Sequence, residues 1–312
     1  MDAVDVFSLH GRIRAWMIAC RPAFHTVGVF PYALGALMAY HYTGRFGWLS
    51  WATGTLAVIL VMNATHLLGE CYDYREDSIS WSEVPSRFAG GSGAIPKKMI
   101  SRESAFYAGL ASTVLAVCVG LFIWIVLDTG PWTIPLGVIG VLGGIFYSTP
   151  PVRWVSTGLG EIWIFICYGF LTVAAGIYLA MGQVTTLSML VSIPVGATIF
   201  NVIFANEYPD YESDRIAGKN NLLSRVGREK GAWIYTLFSV AANFFFLVSV
   251  FAGVPRMAMW FYCLTFVMSV YCVQGFVRGA WRDRSKLESL CGLTIMVNLT
   301  TTMSYMLAFA LF

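Results

Sequence analysis

Nine apolar runs leave this chain few ways to fold: residues 23–42, 48–69, 104–127, 131–147, 159–181, 185–206, 231–253, 257–276 and 288–311. About 20 apolar residues cross a bilayer as a helix, and inside lipid the backbone must satisfy its own hydrogen bonds. The runs predict an all-α polytopic membrane protein of nine transmembrane helices, one integral domain over residues 1–312. Composition agrees. The chain is 57% hydrophobic and only 12% charged, with a mean hydropathy of +0.68, whereas soluble domains carry roughly 25% charged residues. The first run follows Arg12, Arg14 and Arg21 and precedes no small-residue cleavage site, so it reads as a retained helix.

Charge then sets the expected topology. With the N-terminus inside, all but Arg45 and Arg256 of the 20 Lys and Arg residues fall on the inner side. The positive-inside rule places that side in the cytoplasm, with the C-terminus outside. Acidic residues do not normally sort this way, yet of 17 only Asp128 lies opposite. A chemically active cytoplasmic face explains this, here of a bacterial inner membrane. The net charge of +3 suits an anionic leaflet and gives no argument for nucleic acid. Seven scattered cysteines lack metal-site spacing and read as small apolar packers rather than disulfide partners.

One acidic octet occurs twice, as ECYDYRED at 70–77 and EYPDYESD at 207–214. Both read Glu-x-x-Asp-Tyr-x-x-Asp: Glu70, Asp73, Asp77, then Glu207, Asp210, Asp214. Spacings of three and four put each trio on one helix face. Carboxylates stacked in this way repel, so cations must stand between them. Mg²⁺ is the expected occupant, and it usually brings substrate phosphates. A solvated acidic helix end explains either octet alone, but poorly explains a matched pair at the inner ends of the second and sixth runs. Four runs separate the octets, as in two four-helix halves with a ninth helix appended.

Basic, glycine-bearing loops follow both octets. Arg75, Arg87, Lys97, Lys98 and Arg102 follow the first; Arg215, Lys219, Arg225, Arg228 and Lys230 follow the second. Lys219, Arg225 and Arg153 are the candidate diphosphate ligands, the others serving as positive-inside anchors. Gly90, Gly91 and Gly93 would let backbone N–H groups approach phosphate. In the loop at 146–161, Pro150 and Pro151 end a helix, which would place Tyr147 and Arg153 over the site. Glu161 reads either as the cap of the fifth helix or as a proton-handling group. Arg21 divides between membrane anchor and acceptor ligand.

These residues resemble the UbiA superfamily of membrane prenyltransferases, whose signature is a pair of Asn-x-x-x-Asp-x-x-x-Asp motifs on the second and sixth of nine helices. The second motif is complete as Asn206, Asp210 and Asp214. The first keeps Asp73 and Asp77, with Gly69 in the Asn position. YSTPPVRWVSTGLGE and DYESDRIAGKNNLLSRVGREKGA look most like the branch that prenylates 1,4-dihydroxy-2-naphthoate in menaquinone synthesis.

The resemblance implies Mg²⁺ held by Asp73, Asp77, Asn206, Asp210 and Asp214 against a polyprenyl diphosphate, which transfers its prenyl group to an aromatic acceptor. Tyr147 is the expected cation or acceptor contact. Glu70, one turn before Asp73, is expected to replace the missing amide as a metal ligand. The altered first motif leaves a terpene cyclase open as an alternative. A transporter is another, although its site would more often lie at mid-bilayer. Reporter fusions after Lys219 and at Phe312 should report opposite sides of the membrane. The same side for both would mean a miscounted helix or an inverted chain.

Overall fold

Every apolar run becomes a helix in the computed structural model, which describes residues 8–83, 86, 88 and 90–312. A short α1 (Leu9–Cys20) precedes α2 (Thr26–Thr43) and α3 (Trp48–Tyr72). Then come α4 (Tyr74–Glu83), α5 (Arg102–Ile125), α6 (Thr133–Ser148) and α7 (Gly160–Met181). The second part holds α8 (Thr186–Ala217), α9 (Leu222–Val226), α10 (Arg228–Phe251), α11 (Ala258–Val277) and α12 (Arg284–Leu311). Among the described residues there is no strand. Among those residues eight helices are long and apolar enough to cross a membrane; α6 is apolar but has 16 residues. At a rise of ~1.5 Å per residue, 16 residues reach roughly 24 Å, short of the ~30 Å hydrocarbon core. So the ninth predicted crossing is present as a helix but falls below spanning length.

Glycines decide how the halves meet. A Cβ on Gly35 of α2 would lie 2.3 Å from the Val173 carbonyl, and one on Gly176 of α7 would lie 2.1 Å from the Tyr32 carbonyl. On the other side of α7, a Cβ on Gly169 would lie 2.7 Å from the Gly196 Cα of α8. Thus α7 is clamped backbone to backbone between α2 and α8, the small-residue packing that membrane helices use in place of a hydrophobic drive. Its Phe165–Leu171 segment is π-helical, which is a common local adjustment at functional sites. Polar pairs cross-link the second half: Asn201 Nδ2 donates to Ser239 Oγ at 2.8 Å, and Asn298 Nδ2 to Thr198 Oγ1 at 3.0 Å.

The two octets are built differently. The second lies within the single 32-residue α8, although Pro209 removes the N–H that would bond the Ala205 carbonyl. The Cys291 thiol of α12 donates to that carbonyl instead, at 3.4 Å. The first octet is divided at Asp73, which caps α3 with φ −92° and ψ 10°. This corrects the expectation of one unbroken helical face. The turn is nevertheless conservative, because Asp73 N–H bonds to the Gly69 carbonyl and Asp77 N–H to that of Asp73.

Gly35→Ala should therefore destabilise the bundle by at least ~1–3 kcal/mol, as overpacking does. Gly120→Ala, whose Cβ meets nothing within 4 Å, should be neutral or stabilising by up to ~1 kcal/mol. Thermal unfolding in detergent compares the two. Equal melting temperatures would refute the clamp.

Candidate active site

The acidic motifs converge at one end of the bundle, tied across the two halves by direct hydrogen bonds. Asp210 Oδ1 accepts from Ser80 Oγ at 2.7 Å, and its Oδ2 from the Gly90 N–H at 2.8 Å. Gly90 has φ +73°, and a Cβ there would meet Ser80 Oγ at 2.7 Å. A side chain at this position would therefore be both strained and crowded. Gly91 (φ +64°) lies against Asp77, whose Oδ2 stands 2.0 Å from where a Cβ would be. The glycine loop thus wraps the carboxylates with its backbone.

Each remaining acid has its own cationic or polar partner. Arg153 Nη2 donates to Asp73 Oδ1 at 2.8 Å and to Glu76 Oε1 at 2.6 Å, and Ser148 Oγ donates to Asp73 Oδ2 at 3.0 Å. Glu70 accepts from Arg21 Nη2 at 2.5 Å, and from the Ser92 N–H and Oγ at 2.7 Å each. Asp214 Oδ2 accepts from Asn221 Nδ2 at 2.7 Å, while Lys219 Nζ stands 3.6 Å from its Oδ1. Both arginines hold left-handed backbone, with φ 50° at Arg21 and 51° at Arg153. That conformation costs on the order of 1–3 kcal/mol for a non-glycine residue. It persists where each guanidinium reaches a buried acid.

Lys219 is the electrostatic centre. Burial would lower its pKa, but Asp214, Asp73, Asp210 and Asp77 override that and hold it well above the ordinary lysine value. Asp77 is the least compensated acid outside the spans. Burial and then Glu70 raise its pKa well above normal, against the opposing pull of Arg21 and Lys219. Arg153, despite partial burial, is held above its usual value by Asp73 and Glu76.

The sequence-selected residues divide accordingly. Asp73, Asp77, Asp210, Asp214, Lys219 and Arg153 come together. Asn206 joins them from α8 with its buried Oδ1 accepting no hydrogen bond. Tyr147, next to Ser148, lies within the fields of Glu161, Glu207, Lys219 and Asp73. Arg225 is not brought in: it is exposed, its Nε donating to the Asn220 carbonyl at 2.9 Å. Arg21 is held by Glu70 through Nη2, while its buried Nε donates to nothing.

Glu70 is not solvent-facing: Arg21 and Ser92 hold both its oxygens, so a metal there would have to displace a protein donor, as it would at Asp73 and Asp210. Glu161 does not cap its own helix; its Oε1 accepts from the Leu222 N–H at 3.0 Å, at the start of α9. Lys97 leaves the acids and stacks on Trp81, 3.6 Å from the ring centroid. Arg87 lies outside the described residues. Glu76, Ser80, Ser92, Ser148 and Asn221 are site residues that the sequence reading missed. Only Ser92, inside GGSG, and Glu76, inside the first octet, carried a local signal.

Does this donor set fit a hard divalent ion? Chemically it does: four aspartates and an orphaned amide oxygen, Asn206 Oδ1, are oxygen ligands of the type Mg²⁺ takes. Among the described residues, no three acidic, histidine or cysteine side chains are arranged to hold one ion as they stand. Lys219 stands beside Asp214 instead, its Nζ 3.6 Å from Oδ1 and within the fields of Asp73, Asp210 and Asp77. From Tyr147 and Thr65, an apolar cavity of about 160 Å³ runs between α3, α5, α6 and α7 as far as Thr133.

A model of the UbiA prenyltransferase family matches residues 28–299. The chain is 25% identical to a 1,4-dihydroxy-2-naphthoate octaprenyltransferase of Bacillus subtilis, covering 84% of this chain and 82% of that one. It is 26% identical to a 2-carboxy-1,4-naphthoquinone phytyltransferase of Synechocystis, over 92% and 89%. A UbiA homolog from Archaeoglobus fulgidus bound to DMAPP and Mg²⁺ superposes with a TM-score of 0.66 at 14% identity, over 93% and 98%. The apo homolog from Aeropyrum pernix gives 0.68 at 14%, over 90% and 96%. These two solved structures establish the shared fold.

Removing the central cation should leave the buried acids uncompensated. Lys219→Met should lower stability by about 3–5 kcal/mol, the usual result of breaking a buried ion pair on one side. Adding Asp77→Asn should recover part of that loss. Thermal unfolding of both variants reads this out, and an unchanged melting temperature for Lys219→Met would contradict the central role.

Proposed function

We infer the reaction from a plain premise: this chain belongs to the UbiA prenyltransferase family. It transfers a polyprenyl group from a polyprenyl diphosphate to an aromatic acceptor of the 1,4-dihydroxy-2-naphthoate type, a step of menaquinone or related quinone biosynthesis. The observation that carries this reading is the junction of two acidic motifs around Lys219 at the mouth of an apolar cavity. A diphosphate head and a hydrocarbon tail require those two environments side by side. The relatives named for naphthoate prenylation support the acceptor class.

The chain's own groups divide the work. Asp73, Asp77, Asp210, Asp214 and Asn206 would hold Mg²⁺, which when bound neutralises diphosphate oxygens and stabilises the leaving group. Lys219 and Arg153 add fixed positive charge where the C1–O bond breaks and negative charge grows. Loss of diphosphate leaves an allylic cation. The apolar walls exclude water from it, and the Tyr147 ring offers a π-face. A carbon of the electron-rich acceptor then bonds to C1, and loss of the ring proton restores aromaticity. Charge sorting supports a cytoplasmic site, with the N-terminus on the same side.

The decisive experiment supplies purified protein with Mg²⁺, a labelled polyprenyl diphosphate and a panel of aromatic acids. Prenylated naphthoate is the expected product. EDTA should abolish it reversibly, and Asp73→Asn or Asp210→Asn should each lower turnover on the order of 100-fold or more. A cyclised product without any acceptor, or full turnover by the double variant, would overturn the assignment.

A further inference from the structure

Just before α2, two buried nitrogens on one turn of chain meet no hydrogen-bond partner among the described residues. Arg21 gives Nη2 to Glu70 and leaves Nε unmet; four residues on, His25 Nε2 is unmet as well. A buried polar nitrogen without a partner costs stability, and a fold that keeps one keeps it for something that completes it. The turn Pro22–His25 lies against α3, where the His25 ring stacks on His66 with centroids 5.6 Å apart and planes 13° from parallel. His66 in turn lies within the fields of Arg21 and His25. The three side chains form one cluster.

Hydrogen bonding sorts the cluster into donors and an acceptor. His66 Nδ1 stands 3.1 Å from the Cys20 carbonyl. A carbonyl only accepts, so Nδ1 carries the His66 proton and Nε2 presents a lone pair. Arg21 Nε–H is a donor with a full positive charge behind it. With the Cys20 carbonyl taken by His66, His25 is free to carry its proton on Nε2. Two donors and one acceptor complement a carboxylate with a hydroxyl next to it. A guanidinium that holds Glu70 through one nitrogen still has N–H groups for a second carboxylate.

The cluster also stands where such a group is needed. Met62, His66 and Glu70 follow one face of α3, each four residues from the next. Met62 lines the apolar cavity, and Glu70 adjoins the acids through Arg21 and Ser92. His66 therefore sits between hydrocarbon and charge, at the boundary that an aromatic ring must occupy to meet C1 of a prenyl chain.

Resting on the aromatic-acceptor reading above, we propose that Arg21, His25 and His66 form the pocket for the acceptor's polar edge. Arg21 Nε and His25 Nε2 hold its carboxylate, and a neighbouring hydroxyl donates to His66 Nε2. The ligand class is an ortho-hydroxy aromatic acid. The three residues bind and orient; no proton passes to or from them. Lys219 and Arg153 already serve the diphosphate in that reading, which leaves this cluster to the acceptor.

Binding of 1-hydroxy-2-naphthoate, 1-naphthol and 2-naphthoate to the full chain in nanodiscs, without Mg²⁺ or diphosphate, tests the pocket. Wild-type protein should hold the hydroxy acid roughly tenfold more tightly than 1-naphthol, and more tightly than 2-naphthoate. His25→Phe keeps the ring stack and removes the donor; it should weaken both acids roughly tenfold and leave 1-naphthol unchanged. His25→Gln, whose amide N–H stands in for Nε2, should recover most of that loss. His66→Asn, which still donates to the Cys20 carbonyl, should cost the hydroxy acid its advantage over 2-naphthoate. Wild-type protein that binds 1-naphthol as tightly as the hydroxy acid, or equal weakening of all three probes by His25→Phe, overturns the pocket. A titration with geranyl thiolo-diphosphate and Mg²⁺ covers the other anion. If His25→Phe weakens that analogue and spares the acids, the cluster serves the diphosphate and the proposal fails. The acid titrations need neither metal nor prenyl donor, so they read separately from whether wild-type protein prenylates naphthoate, which a turnover assay answers.

Discussion

Burying like charges together is the constraint from which the rest of this structure follows. Asp73, Asp77, Asp210 and Asp214 come from opposite halves of the bundle, and nothing apolar could hold them at one end of it. They are tolerated because Lys219 stands among them and Arg153 and Arg21 close off the flanking acids. Even so the compensation is incomplete, since Asp77 keeps a raised pKa and Asn206 Oδ1 an unmet acceptor. A site left short of positive charge is prepared for more of it. A divalent cation, such as the Mg²⁺ bound by the Archaeoglobus fulgidus homolog, would supply that charge without rebuilding the fold.

The scaffold serves this arrangement through close backbone approach. Glycines at 35, 176, 169 and 196 let α7 sit against α2 and α8 with no side chains between. That contact fixes the position of Trp163 and Tyr168, which line the cavity from α7. Glycines at 90 and 91 act on a smaller scale, bringing loop backbone onto Asp210 and Asp77. In both places the absent Cβ is the functional feature, but only the first is a matter of helix packing.

Much was legible beforehand because it obeys local rules. Apolar run length gave most helix ends to within about four residues, since lipid forces backbone hydrogen bonds to close within each segment, although α8 continues to Ala217, well past the apolar run that ends at 206. The repeated acidic spacing gave both halves of the site. What stayed hidden depends on partners far apart in sequence. Ser80 reaches Asp210 across 130 positions and Ser148 reaches Asp73 across 75, and a serine carries no pattern that announces such a bond. Arg225 and Lys219 looked equivalent as basic loop residues. Only folding turned one toward the acids and left the other bonded to its own loop.

The sequence by itself determined an all-helical membrane bundle and an acidic site shared between two motifs, because periodicity and charge are properties of short segments. Tertiary structure decided the rest. It assigned Glu70 to Arg21 and Ser92, moved Glu161 to the start of a neighbouring helix, shortened α6, and lined an apolar cavity with the glycines of that helix. Those outcomes turn on distances between segments, and such distances are set by how helices pack and not by any one helix alone.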